Sequence, residues 1–486
     1  MNRRSFFKLS AITATWLLSG CGGGGTRRGM GSNMGLSISS FDFTPYVNTL
    51  TPLAIPPLLT PTDIGGVKNY DLTIQKATHT FFAGYDTATY AVNGTYLGPT
   101  LKLTNGDSVS INFTNNLDEP TTMHGHGMHL PANMDGAAHQ PIAVGATWSA
   151  QYTVNQRACT NWYHPHYMGK TAEHVYKGLA GLIIIEDNEI NRLDLPKTYG
   201  VDDIPLVLQD RIFDSNGQLD YSPSTREIMQ GYRGDTLIAN GVYNAYVDVQ
   251  AKEIRFRVLN GSNATVYTLQ FSDGRTFKQI GTDNSLLETP VSLTSLKLSP
   301  AERAEIVVDF THDLNGSLYL QESTQGKNFL KINVTQVAGA VTTTPNSLTT
   351  LTKNRLAEAV RTRTFSLGAS GPGKFTINGV SMDINVINER VPVNDVEIWE
   401  VTNTMPMNHN FHIHATHFLV AERNGSSANV AANEQGYKDT VLLEPNDSVK
   451  LIVKMVDYTS TTDPYMYHCH FLEHEDAGMM GQFTVE

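Results

Sequence analysis

The chain has 486 residues and a formal net charge of −12, a length that suits two to four domains. The acidic balance argues against a nucleic-acid binder, and beyond the N-terminus no run is apolar and long enough to cross a bilayer. With 40% apolar residues, 40 Gly and 21 Pro, the composition is that of an ordinary globular protein.

The N-terminus reads as an address rather than as fold. Arg3-Arg4-Ser5-Phe6-Phe7-Lys8 precedes an apolar run ending at Leu18, which resembles a twin-arginine export signal. Leu18-Ser19-Gly20-Cys21 resembles a lipoprotein cleavage box, so residues 1–20 are expected to be a leader and Cys21 a lipid anchor to the membrane. The expected location is the periplasm or cell envelope. Residues 22–40, rich in Gly and Ser, read as a flexible tether beginning at Cys21. Only three cysteines exist. With Cys21 in the signal, an exported protein could join Cys159 to Cys469. Cys469 has other work, and Cys159 reads as a buried structural thiol.

From residue 41 the chain reads as all-β. Val109, Ile111 and Phe113 alternate with polar residues at the period of a half-buried strand, and Ile254, Phe256 and Val258 do likewise. A weak repeat runs through the body. Asn93-Gly94, Asn240-Gly241 and Asn378-Gly379 each precede an extended stretch, ending at Asn115-Asn116, Asn260-Gly261 and Asn403. A second repeat links the ends of the first and third units. Tyr163-His164-Pro165-His166 precedes Gly181-Leu182-Ile183-Ile184, and Tyr467-His468-Cys469-His470 precedes Gly481-Gln482-Phe483-Thr484. These repeats predict three β-sandwich domains over 41–190, 195–338 and 360–486, with a Thr/Ser-rich linker at 339–359. The middle one has strands but no paired histidines.

Ten of the 16 histidines fall in tight groups: His124 and His126; His164 and His166; His409, His412 and His414; and His468, His470 and His474. On a strand, residues two apart share a face, so each His-x-His aims two imidazoles at one point. A single pair is weak evidence of metal binding, but pairs at matching places in two related units are specific. The last group selects the metal. Cys469, His474 and Met479, with His409, form the two-imidazole, thiolate and thioether set of a blue-copper site; the alternative for Met479 is plain core. His468 and His470 are expected on one face of the strand and Cys469 on the other. An electron taken up at Cys469 would then reach the histidine cluster by a short covalent path. The remaining eight histidines come equally from the first and third units, so their cluster belongs at the interface between these units. Eight imidazoles suit about three coppers with room for oxygen.

With these motifs the chain resembles the multicopper oxidase family, in its bacterial three-domain branch of cupredoxin-like Greek-key β-sandwiches, which includes laccases and periplasmic cuprous oxidases. Gly178-Leu179-Ala180-Gly181, the stretch from Asp203-Ile204-Pro205 to Gln209-Asp210-Arg211, and Gly234-Asp235-Thr236 extend the resemblance over the body of the chain. It implies four copper ions per chain. His409, Cys469, His474 and Met479 match the type 1 ligands. His124 and His412 match type 2, and His126, His164, His166, His414, His468 and His470 match the type 3 pair. Asp135 and Glu475 match acids that relay protons to the cluster; the alternative is an ordinary hydrogen-bonded carboxylate. The implied activity is one-electron oxidation of phenols, aromatic amines or metal ions such as Cu(I) or Fe(II), coupled to four-electron reduction of dioxygen to water, by a monomer.

Two departures stand out. Gly125 replaces a common Trp, which predicts looser packing beside the cluster. No methionine-rich insertion interrupts the third unit, which counts against dedicated copper detoxification. Met405 and Met407, just before His409, are either soft donors to a metal substrate or the wall of an apolar pocket. His79, His129, His139, His174, His312 and His417 lack motif partners and read as surface or core residues. Two rivals remain: a copper-free member of the fold that acts as an interaction protein of the cell envelope, and a two-domain copper nitrite reductase, which would lack the His-x-His pairs.

Overall fold

The computed structural model describes residues 37–337, 339 and 341–486. The leader, the cleavage box at Cys21 and the tether to residue 36 lie outside the described residues. Within the described residues the fold is built almost entirely from six β-sheets, and α-helices are short.

The sheets pair into three sandwiches of one design. In the first, Val67–Phe82 runs parallel to Ser108–Asn115 and antiparallel to Tyr85–Val92, and Thr147–Thr153 closes that sheet. The opposing sheet takes Leu101–Thr104, Gly181–Glu186, Cys159–His164 and His124–His126 in that order. The third repeats its main strands and adds Leu419–Arg423 and Thr440–Leu443 at the sheet ends. Arg361–Gly371 pairs with Lys374–Ile377 and Val396–Asn403, and Val396–Asn403 pairs with Ser448–Lys454. Its opposing sheet runs Glu389–Val391, Met480–Val485, Ser460–His468, His409–Ile413 and Thr440–Leu443. The second uses the same plan, with Tyr267–Phe271 where the other two place His124–His126 and His409–Ile413. Tyr267, Leu269 and Phe271 face the core there, and Thr268 and Gln270 occupy the other face, so the middle unit has no imidazole on this strand.

The Asn-Gly repeat is a structural device. Asn93, Asn240 and Asn378 all adopt a left-handed backbone, with φ of 54°, 49° and 54°, which Asn tolerates better than most residues. Each side chain clamps the preceding strand of its own sheet. Asn93 accepts from Thr73 N–H and donates to Asp71 O, Asn240 accepts from Val207 N–H and donates to Pro205 O, and Asn378 accepts from Ser366 N–H and donates to Thr364 O. Asn115, Asn260 and Asn403 at the stretch ends similarly tie their loops to facing carbonyls.

Three expectations are corrected. The alternation at Ile254, Phe256 and Val258 does not mark a half-buried strand, because every residue of Glu253–Asn260 is buried. Its polar face lies at the junction with the first sandwich. There Arg257 pairs with Asp203 (2.8 Å) and Glu305 (2.9 Å) and donates to Thr160 Oγ1 (2.9 Å), and Arg255 pairs with Glu305. The described end of the tether, residues 37–40, is held rather than loose. Ser39 donates to Phe213 O (2.7 Å) and its N–H to Asp235 (2.8 Å), and the next residue, Phe41, stacks on Phe82 at 4.3 Å. Finally, Thr51–Pro52 falls within 41–190 but pairs in parallel with Ala245–Gln250 of the second sandwich. The extended, proline-rich stretch there adds to an open sheet edge.

Candidate metal centres

The strand geometry brings the histidine pairs together. His124 lies opposite His164 across one ladder, and His412 lies opposite His468 across another. The histidine-bearing strands of the first and third sandwiches meet, with His124 stacked on His414 and His126 on His412. Four groups of three donors result: His124, His126 and His412; His126, His164 and His470; His166, His414 and His468; and His124, Asp135 and His414. All are at most 1% exposed.

Hydrogen bonding fixes which ring nitrogen faces inward. Backbone carbonyls only accept. The Nδ1 atoms of His124, His164, His412 and His468 lie 2.8–3.1 Å from the carbonyls of Asp135, Pro165, Asp439 and Cys469, so Nδ1 carries the proton in each. His414 Nδ1 lies 2.7 Å from Asp135 Oδ2. The Nε2 lone pairs are thereby turned on one another. His166 and His414 Nε2 both sit 3.1 Å from His468 Nε2, and His470 Nε2 sits 3.3 Å from His164 Nε2. The Nε2 atoms of His124 and His412 are buried with no partner. Facing lone pairs repel, and an unpaired buried acceptor costs about 1–3 kcal/mol. Cations between them relieve both, so the donors fit bound metal ions, and the outer carbonyls and carboxylates supply the support that metal-ligating histidines need. Burial and neighbouring imidazoles hold His164, His414, His468 and His470 well below the usual histidine range. They are neutral, as ligands must be. His124 is the exception: burial opposes its charge, but Asp135 and Glu475 outweigh it.

The second centre lies one residue away along the chain. His409 Nδ1 is 3.4 Å and His474 Nδ1 3.8 Å from Cys469 Sγ, and the two Nδ1 atoms are 3.0 Å apart. His409, Cys469, His474 and Met479 are all 0% exposed. The loop is closed by Cys469 N–H donating to Met479 O and Met479 N–H donating to His474 O. Burial pushes the Cys469 thiol up to about 12, so a thiolate here requires a cation beside it. Phe375 lies 4.1 Å from the His474 ring and Phe471 stacks on it at 5.4 Å, keeping water from the sulfur. His468 and His470 reach the histidine cluster while Cys469 between them faces His409, as alternation predicts.

The carboxylates sit where expected. Glu475 lies 3.2 Å from His468 Nδ1 and 3.5 Å from His166 Nδ1, and burial raises its proton affinity. Asp135 bridges His414 (2.7 Å) and His124 (3.3 Å). Met405 is core, sharing an apolar cluster with Cys469 and Met479, and Met407 is packed half-buried at its margin. Gly125 does not loosen the packing. A Cβ there would lie 3.0 Å from Met128 Cγ, so Met128 already fills the space. Cys159 is a buried free thiol. Among the described residues, none of the six partnerless histidines joins a donor group.

The sequence reading missed three residues at these centres. Asp439 is fully buried, with its carboxylate 2.9 Å from His126 Nε2 and its carbonyl on His412. Burial opposes its charge, but Arg303 and His126 hold it well below the usual carboxylate range. Arg303 belongs to the second sandwich, which has no paired histidines, and lies 136 residues earlier in the chain, which no local pattern signals. Met229, on helix Thr225–Gln230, packs against the same core cluster as Met407 and accepts from Gly373 N–H. The capping box at Ser224 and Glu227 signals that helix but not its docking.

Two sequence families, both described as multicopper oxidase, match residues 73–190 and 342–486. The chain is 37% identical to a multicopper oxidase of Staphylococcus haemolyticus, covering 87% of this chain and 90% of that protein. It is 35% identical to cell division protein FtsP of Xenorhabdus nematophila, covering 93% and 97%. The crystal structure of a laccase from Pediococcus acidilactici superposes with a TM-score of 0.85 at 33% identity, over 93% of this chain and 95% of that one.

Proposed function

The chain belongs to the multicopper oxidase family, and we propose that it is an active oxidase which takes single electrons from a reducing substrate and delivers four, with four protons, to each dioxygen to make two waters. The observation that carries this reading is the completeness of both donor sets: a buried Cys469 with His409, His474 and Met479, one residue from eight inward-turned imidazoles. Copper bound in such sets supplies one-electron redox chemistry and open positions for oxygen.

In this reading His409, Cys469, His474 and Met479 hold the type 1 ion, His124 and His412 the type 2 ion, and His126, His164, His166, His414, His468 and His470 the type 3 pair. The peptide through Cys469 joins its thiol covalently to His468 and His470, which shortens the electron path. Glu475, whose proton affinity burial raises, lies against His166 and His468, and Asp135 lies against His414, so each acid is one imidazole away from the place where oxygen would gain protons. Phe375 and Phe471 shield the sulfur. Met405, Met407 and Met229 form the apolar margin through which a phenol, an aromatic amine or a soft ion such as Cu(I) approaches. Export by the twin-arginine route, lipid attachment at Cys21 and a place in the cell envelope belong to the same proposal. An Arg3→Lys, Arg4→Lys double variant retained in the cytoplasm supports the route, and its normal export refutes it.

The likeness to cell division protein FtsP favours a second reading, a copper-free interaction protein of the cell envelope. One experiment separates the two. Purified protein is loaded with copper and assayed for copper per chain, blue absorption, and oxygen uptake with a phenol, Cu(I) and Fe(II) in turn. A blue protein that consumes oxygen with one of them is expected. A colourless protein with no uptake favours the second reading.

A further inference from the structure

His126 is turned the opposite way from its neighbours. Its Nδ1, not its Nε2, faces the cluster, 3.3 Å from His164 Nε2, and its Nε2 points outward to Asp439 Oδ1 at 2.9 Å. The orientation depends on what holds Asp439. Both of its oxygens are taken by one guanidinium: Arg303 Nη1 donates to Oδ1 at 2.8 Å and Nη2 to Oδ2 at 2.7 Å. A carboxylate filled in this bidentate way by a cation can only accept from a third group. The proton must therefore sit on His126 Nε2, leaving the Nδ1 lone pair directed inward. The Asp439 carbonyl meanwhile accepts from His412 Nδ1 at 2.8 Å.

Arg303 is itself fixed from all sides. Nε donates to Thr160 O at 2.9 Å and Nη2 to Asn161 Oδ1 at 2.8 Å, both in the first sandwich. Nη1 donates to Ala301 O and Nη2 to Asp283 O in its own sandwich. Arg303 and Asp439 are each at most 1% exposed. The space between them and the cluster is closed at Gly127, where a Cβ would fall within 2.7 Å of Asn161, Asp439 and Arg303 together.

We propose that Arg303 is a positioning residue: through Asp439 it sets the tautomer of His126 and the ring orientation of His412, so the second sandwich, which supplies no histidine to the cluster, is a working part of a site built from the other two. The inference rests on reading that cluster as a copper site, but its first test needs no copper. In copper-free protein with 15N-labelled histidine, the His126 signal, assigned by its loss in His126→Gln, should report a protonated Nε2 and a bare Nδ1. Arg303→Met, combined with Asp439→Asn so that no lone charge is left buried, should abolish that preference. Arg303→Lys, which restores the positive charge beside Asp439, should retain it. A protonated Nδ1 in the parent protein, or an unchanged tautomer in the double variant, overturns the proposal.

The second test uses loaded protein and a chelator titration. The double variant should lose cluster copper at about 10- to 100-fold lower chelator, the usual effect of removing an outer partner of a ligand, while the blue band of the Cys469 site titrates as in the parent. A parallel loss at both sites, tracking the loss of folded protein, would mean that Arg303 only holds the sandwiches together.

Discussion

Cys469 reaches both centres from one residue, since its side chain lies against His409 and His474 and its two peptide bonds lead to His468 and His470. Cys469→Ser should abolish the thiolate-to-copper absorption and substrate oxidation while the eight-histidine cluster still takes up copper. Copper analysis and visible spectroscopy check this, and a retained blue band contradicts the assignment. Met479 is a softer case, because its burial suits a core residue as well as an axial donor. A thioether stabilises the more positive ion, so Met479→Leu should raise the potential of the blue site. The swap conserves volume and should cost less than about 1.5 kcal/mol, leaving the effect readable in a redox titration. An unchanged potential with copper intact would make Met479 core alone.

At the scale of elements, one clamp is used three times in different surroundings. Asn240 is 6% exposed and also donates to Ala54 O, tying the N-terminal strap to the second sandwich. Asn93 and Asn378 make the same local bonds at exposed positions. Asn240→Ala would bury unpaired groups at Val207 and Pro205 and should cost about 1–3 kcal/mol. Asn93→Ala, where water replaces the lost partner, should cost less than about 1 kcal/mol. Urea midpoints of the two variants should differ in that order, and equal shifts would show that burial does not set the clamp's worth. The Asn-Gly spacing made the repeat legible before any fold was known, because only a few residues tolerate a left-handed turn. The worth of each clamp was not legible, because burial comes from the neighbouring unit.

Across the whole molecule, the centres are held where burial is deepest, and this makes the copper-free fold sensitive to acid. Burial pushes His166 and His409 down to about 3, while the same residues in the unfolded chain titrate near 6.5. Below that value the unfolded chain binds more protons. Stability is therefore whole above about pH 6.5 and lost as pH falls towards about 3, by up to about 1.4 kcal/mol per pH unit for each histidine. The copper-free protein should show a lower urea midpoint at pH 5 than at pH 7.5, and an equal midpoint would contradict neutral burial. Adding copper at pH 7.5 should raise the midpoint, since a ligand at 100 times its dissociation constant stabilises by about 2.7 kcal/mol per site.

The sequence alone determined the all-β class, the number of repeated units and the pairing of imidazoles, because strand alternation and turn chemistry are local and leave their period in the chain. It also determined that Cys469 lies between two cluster histidines, which is a matter of covalent order. What it could not determine depends on surfaces that meet only after folding. The two-sided burial of Arg255 and Arg257 and the docking of Met229 against the core of the third sandwich arise between elements distant in the chain. The reversed ring of His126 is the clearest case. Which nitrogen carries its proton depends on a carboxylate 313 residues later and on an arginine of the second sandwich, and only the tertiary structure brings those three side chains together.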